Sequence, residues 1–128
     1  MTQAQLFPGG KRPKVNVGER TYAFQCKTLR LPTVTEQYLF AKPLGRRFTA
    51  DFAFVEYQLL VEIQGGIWMG GGGAHSRPQS IQRDVEKQQL AVLLGYYLLP
   101  VTPAEVKNGY AVDLTQRVLF KLGWRPNS

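Results

Sequence analysis

Hydrophobic and polar positions alternate most clearly in the middle of the chain. Arg47 to Tyr57 reads RFTADFAFVEY, which sets Phe48, Ala50, Phe52 and Phe54 on one face and Asp51, Ala53 and Val55 on the other. Leu59 to Gln64 reads LLVEIQ, with Leu59, Val61 and Ile63 opposite Leu60, Glu62 and Gln64. A period of two predicts strands, and with only Gln58 between the runs they predict a hairpin. Upstream, Tyr22, Phe24 and Cys26 alternate with Ala23, Gln25 and Lys27 and predict a short extended segment. Thr33 or Thr35 predicts the cap of a short helix through Glu36 and Phe40, closed by Pro43 and Gly45. Downstream the period lengthens. Gln79 to Leu94 predicts a helix, with Ile81, Val85, Leu90, Val92, Leu93 and Leu94 as its apolar side and Gly95 as its stop. Tyr96 to Val101 predicts a short buried strand, and Asp113 to Leu122 a closing helix. The order helix, strand, strand, loop, helix, strand, helix predicts an α/β domain with a small central mixed sheet flanked by helices.

The chain has 128 residues, the size of one domain. The sequence divides into a basic N-terminal arm with a short extended segment over residues 1–30 and a single α/β domain over 31–128. Sixteen basic residues against nine acidic ones give a net charge of +7. Residues 1–50 hold nine basic residues against Glu19 and Glu36, and residues 51–128 hold seven of each sign, so the whole excess lies in the first part of the chain. A concentrated basic segment is the electrostatic footprint of a polyanionic partner. With no basic amphipathic helix in view, nucleic acid is expected over membrane. No apolar run reaches the ~20 residues of a membrane span, and Met1 to Gly10 lacks the apolar centre of a signal peptide. Cys26 is the only cysteine, which excludes an intrachain disulfide framework and a cysteine-rich zinc site, and is expected as a buried small apolar residue. A cytoplasmic setting, bacterial or phage-encoded, is expected. Six glycines between Gly65 and Gly73 lack a following Gly-Lys-Ser/Thr, so the run is read as a hinge or substrate-ordered loop, and no nucleotide cofactor is expected.

Asp51 and Glu62 fall inside strands otherwise rich in Phe, Val, Leu and Ile. Burying two carboxylates there is costly without compensation, and a divalent cation is the usual one. Hard cations take oxygen ligands, commonly one or two carboxylates completed by water and phosphate. Neighbouring strands bring Asp51 and Glu62 to one face, and the Ile63 carbonyl offers a further oxygen. The plainer reading of Glu62 and Gln64 is the wet face of an edge strand, but LLVEI is too apolar for that.

Ala50-Asp51 followed eleven residues later by Glu62-Ile63-Gln64 resembles the PD-(D/E)XK, or restriction-endonuclease-like, nuclease superfamily. The stretches ADFAFVEYQLLVEIQGG and RDVEKQQLAVLLGYYLLPVTPAEV look like its very-short-patch-repair endonuclease branch, over roughly residues 33–120. The resemblance implies metal-dependent hydrolysis of DNA phosphodiester bonds, selective for branched, nicked or junction DNA because the chain leaves no room for a separate sequence-reading domain. It implies Mg²⁺ or Mn²⁺ held by Asp51, Glu62 and Ile63, with Glu36 as the acidic residue of a first helix. It also implies, by analogy with junction resolvases, a homodimer. Two positions depart from the pattern: Ala50 replaces the proline and Gln64 the lysine. A glutamine hydrogen-bonds water but carries no positive charge. Lys87 on the following helix is a candidate substitute, and His75 a candidate acid or base whose plainer reading is surface. Lys11, Arg12, Lys14, Arg46, Arg47, Arg77 and Arg83 are expected on phosphates, and Trp68 on a base. Two other readings stay open: an inactive nucleic-acid-binding protein of the same fold, and an assembly component of a nucleoprotein particle.

Overall fold

Every strand among the described residues joins one sheet, and each of its two faces is covered by a different set of helices. The computed structural model describes residues 16–64 and 78–127. Within them lie α1 (Val17–Thr28), β1 (Thr35–Tyr38), β2 (Ala50–Phe54), β3 (Leu59–Ile63), α2 (Pro78–Leu93), β4 (Tyr97–Val101), α3 (Pro103–Lys107) and α4 (Tyr110–Lys121). The strand order is β1-β2-β3-β4. The first three strands form an antiparallel meander, and β4 pairs with β3 in parallel, so the sheet is mixed. No helix among the described residues is long and apolar enough to cross a membrane.

The β2–β3 hairpin forms where the alternation predicts it. Its turn is longer than expected: Val55–Tyr57 makes a 3₁₀ turn, and Gln58 then takes a left-handed conformation at φ 53° to start β3. One face of the sheet buries Phe52, Phe54, Leu59 and Val61 against α1, α3 and α4. The other buries Ala53 and Leu60 under α2. Phe48 and Ala50 belong to this second core, not with Phe52 and Phe54. The regular strand begins at Ala50, so the two-residue period does not reach back to Phe48, and Ala50 at the strand's first position packs with that preceding segment.

Three expectations for the helices and the first strand are corrected. Tyr22 to Cys26, expected as extended, lies inside α1. Asn16 caps that helix by accepting the Glu19 N–H at 2.9 Å. The four-residue spacing of Tyr22 and Cys26 buries both, while Phe24 is 70% exposed. The Tyr22 and Thr115 hydroxyls, 2.6 Å apart, tie α1 to α4. Conversely, the segment from Thr35, expected as a helix carrying Glu36, is strand β1, because it pairs along β2 through Thr35↔Ala53, Glu36↔Phe52 and Tyr38↔Ala50. Finally, α2 packs through Leu90, Ala91 and Leu94. Ile81, Val85, Val92 and Leu93, expected on its packed side, are exposed.

Both outer strands carry a local irregularity. Gln37, within the four residues of β1, has φ 50°. β4, expected as a buried strand, is instead an edge strand among the described residues, with Tyr97 exposed and Val101 its one buried residue, and Pro100 is tolerated there because an edge needs no N–H from it.

Candidate active site

The site lies where β2 and β3 stop pairing. Their register runs Phe54↔Leu59, Ala53↔Leu60 and Phe52↔Val61. One further step sets Asp51 opposite Glu62. Here a side chain replaces the ladder bond: the Ile63 N–H donates to Asp51 Oδ2 at 2.8 Å. Carrying the registers of β1 and β4 outward puts Gln37, Asp51, Glu62 and Pro100 in one row across the sheet. Gln64 follows β3, its N–H donating to the Val101 carbonyl at 2.7 Å.

Glu62 is buried, and desolvation pushes its carboxyl pKa up from 4.5 to about 7 against the opposing pull of Lys87. Its Oε1 meets Lys87 Nζ of α2 in an ion pair. Among the described residues, that ammonium is the one donor to Glu62 Oε1. A carboxyl whose folded pKa lies above its unfolded value holds its proton longer in the folded state. Its contribution to stability is therefore complete below pH 4.5 and is lost as the pH rises through about 7. Denaturant unfolding of wild type and Glu62→Gln at a series of pH values is expected to show wild type losing ground to the variant across that window. Parallel pH profiles would refute the buried-carboxyl account.

Sequence reasoning missed Glu19 and Gln37. Glu19 enters from the start of α1, which lies against the end of β3: a Cβ on Gly18 would stand 3.9 Å from Ile63 Cδ1. Partial burial, then the neighbouring charges of Asp51 and Glu36, raise the Glu19 pKa. Gln37 Nε2 donates to Glu19 Oε1 at 2.6 Å. The acidic residue that α1 brings to this row is thus Glu19. Glu36 is exposed on β1, one position off the row and on no helix. The signal in the sequence was Asn16 three residues before Glu19, a capping arrangement ahead of the Tyr22/Cys26 spacing.

A basic cleft of about 170 Å³ adjoins the carboxylates, lined by Arg47, Phe48, Thr49, Arg83, Asp84 and Lys87. Two guanidiniums lie over the Phe48 ring, Arg46 at 4.8 Å and Arg83 at 5.6 Å from its centroid. Arg46 also pairs with Glu86 of α2. Of the cationic residues expected from the sequence, Arg47, Arg83 and Lys87 line this cleft, Arg46 lies beside it over Phe48, and Lys87 is the one in contact with Glu62. Lys11, Arg12, Lys14, Trp68, His75 and Arg77 lie outside the described residues.

Among the described residues, no three His, Cys, Asp or Glu side chains are grouped to hold a metal ion. Two opposed carboxylates suit a hard cation that keeps most of its own water, once Lys87 yields its place on Glu62. Asp51 and Glu62 are the residues that would hold it.

No protein-family model, curated protein or solved structure matches this chain. The chain is a mixed α/β domain with two opposed carboxylates beside a basic cleft.

Proposed function

We propose that this chain is a divalent-cation-dependent DNA endonuclease of restriction-endonuclease-like fold, selective for branched, nicked or junction DNA. The observation that carries the reading is the opposition of Asp51 and Glu62 at the end of a strand pair, with Arg47, Arg83 and Lys87 lining the adjoining cleft. Phosphodiester hydrolysis needs both halves: acidic oxygens for a cation, and fixed positive charge for the phosphate being attacked. The bound cation supplies a water of lowered pKa and offsets charge on the phosphate. The chain's own residues do the rest. Asp51, held by the Ile63 amide, and Glu62, fixed on a central strand, define where that chemistry takes place. Gln64, in place of a lysine, orients the attacking water by hydrogen bonding. Arg47 and Arg83 hold the backbone phosphates, Arg83 with its guanidinium over Phe48.

Purified protein with Mg²⁺ or Mn²⁺ is expected to cut at least one of linear duplex, single-stranded, nicked, flap or four-way-junction DNA, with a branched or nicked form preferred. Failure to cut any form sinks the nuclease reading. Arg47→Ala and Arg83→Ala should each weaken binding to all sequences alike and lower the slope of log affinity against log salt by about one. Fluorescence anisotropy over a salt series measures this, and an unchanged slope removes both residues from the phosphate contacts.

A second reading has one observation in its favour. The Lys87 ammonium already sits against Glu62, so a protein that binds DNA without cutting it needs no cation to compensate that carboxylate. It predicts salt-dependent DNA binding, no cleavage, and no Mg²⁺ binding.

A further inference from the structure

Lys87 belongs to both halves of the site. Its Nζ meets Glu62 Oε1, and its side chain lines the cleft with Arg47, Thr49, Arg83 and Asp84. The Lys87 side chain is 21% exposed, so a path to solvent and to the cleft is open. Its four-carbon stem swings a compact charge, whereas Arg83, one turn earlier on α2, has its guanidinium over Phe48. An ammonium and a divalent cation compete for the same oxygen, because each needs close approach to the negative charge and each repels the other. We propose that Lys87 is a displaceable counter-ion of Glu62. A divalent cation takes its place on the carboxylate, and the released ammonium moves into the cleft to meet substrate phosphate. Asp84, which also lines the cleft, gives the arriving ammonium a carboxylate neighbour there. Cation and phosphate binding are then coupled through one side chain, each favouring the other, as linkage requires.

The inference rests on reading Asp51 and Glu62 as cation ligands, and one experiment separates the two. Full-length protein at pH 8 is treated with an amine-acylating reagent with and without saturating MgCl₂ at matched ionic strength. Modification at each lysine is followed by peptide mass spectrometry, and Mg²⁺ binding by calorimetry. Lys87 is expected to react about tenfold faster with Mg²⁺, while the exposed Lys107 and Lys121 keep their rates. Lys87→Met should tighten Mg²⁺ binding by about tenfold. If Mg²⁺ binds in an Asp51-dependent manner while Lys87 stays equally protected, the counter-ion proposal falls and the cation site stands. If neither wild type nor Lys87→Met binds Mg²⁺, the cation site falls and takes the proposal with it.

Discussion

Asp51→Asn is expected to abolish DNA cleavage while leaving the protein folded. The variant keeps an oxygen to accept the Ile63 N–H, which Asp51 Oδ2 now takes at 2.8 Å, so the β2–β3 junction is preserved. It loses the negative charge that attracts a cation. Removing one preorganised electrostatic group of this kind costs about 10²–10³ in rate, and loss of the cation itself costs more. Glu62→Gln should fall as far, and the double variant little further, because the two carboxylates act as one unit. Initial cleavage rates, with circular dichroism to confirm the fold, test this. An Asp51→Asn protein that cuts at the wild-type rate rules out the cation role, because the lost negative charge is what that variant changes at the site.

Phe52→Ala is expected to lower stability by about 3–5 kcal/mol, enough to leave a domain of this size marginal or unfolded. Phe52 is fully buried at the centre of the sheet, and its ring lies 4.8 Å from that of Tyr22 on α1. The truncation opens a cavity between sheet and helix that rigid neighbours on both sides cannot close. Phe24→Ala gives the contrast. On a strand it would share the buried face of Tyr22 and Cys26, but on α1 it points outward at 70% exposure and should change stability by no more than about 0.5 kcal/mol. Equilibrium denaturation of the two variants tests the helical placement of this segment. A large loss for Phe24→Ala would contradict it.

That contrast shows where the sequence was legible. β2 and β3 could be read because they alternate, and the presence of α2, β4 and α4 because Gly95, Pro103 and Gly123 bound their apolar runs, although the buried side of α2 and the burial of β4 were not legible. α1 could not, because Tyr22, Phe24 and Cys26 satisfy a two-residue period as well as Tyr22 and Cys26 satisfy a helical one. Only tertiary packing selects between them. β1 was hidden for the opposite reason: Thr35, Glu36 and Gln37 imitate a capped helix start, and pairing with β2 overrides that local preference. α3 announced itself through Thr102 and Glu105, which form a reciprocal capping box, and was passed over because Pro103 reads first as a strand terminator. In the site, Asp51 and Glu62 were visible as charges among apolar residues. Glu19 was not, since its place beside them depends on the misread helix.

The irregularities at the two ends of the sheet bear on self-association. A strand edge with regular, unpaired amides is a template for another molecule's strand. Here one edge is four residues long with a left-handed residue inside it, and the other lacks an amide hydrogen at Pro100. Neither supports an uninterrupted intermolecular ladder. Two copies of this domain are therefore not expected to pair along these two edges, and the row holding Asp51 and Glu62 in one copy is not extended through them by strands of the next. The same two features guard a sheet with a largely apolar interior against stacking edge to edge into aggregates.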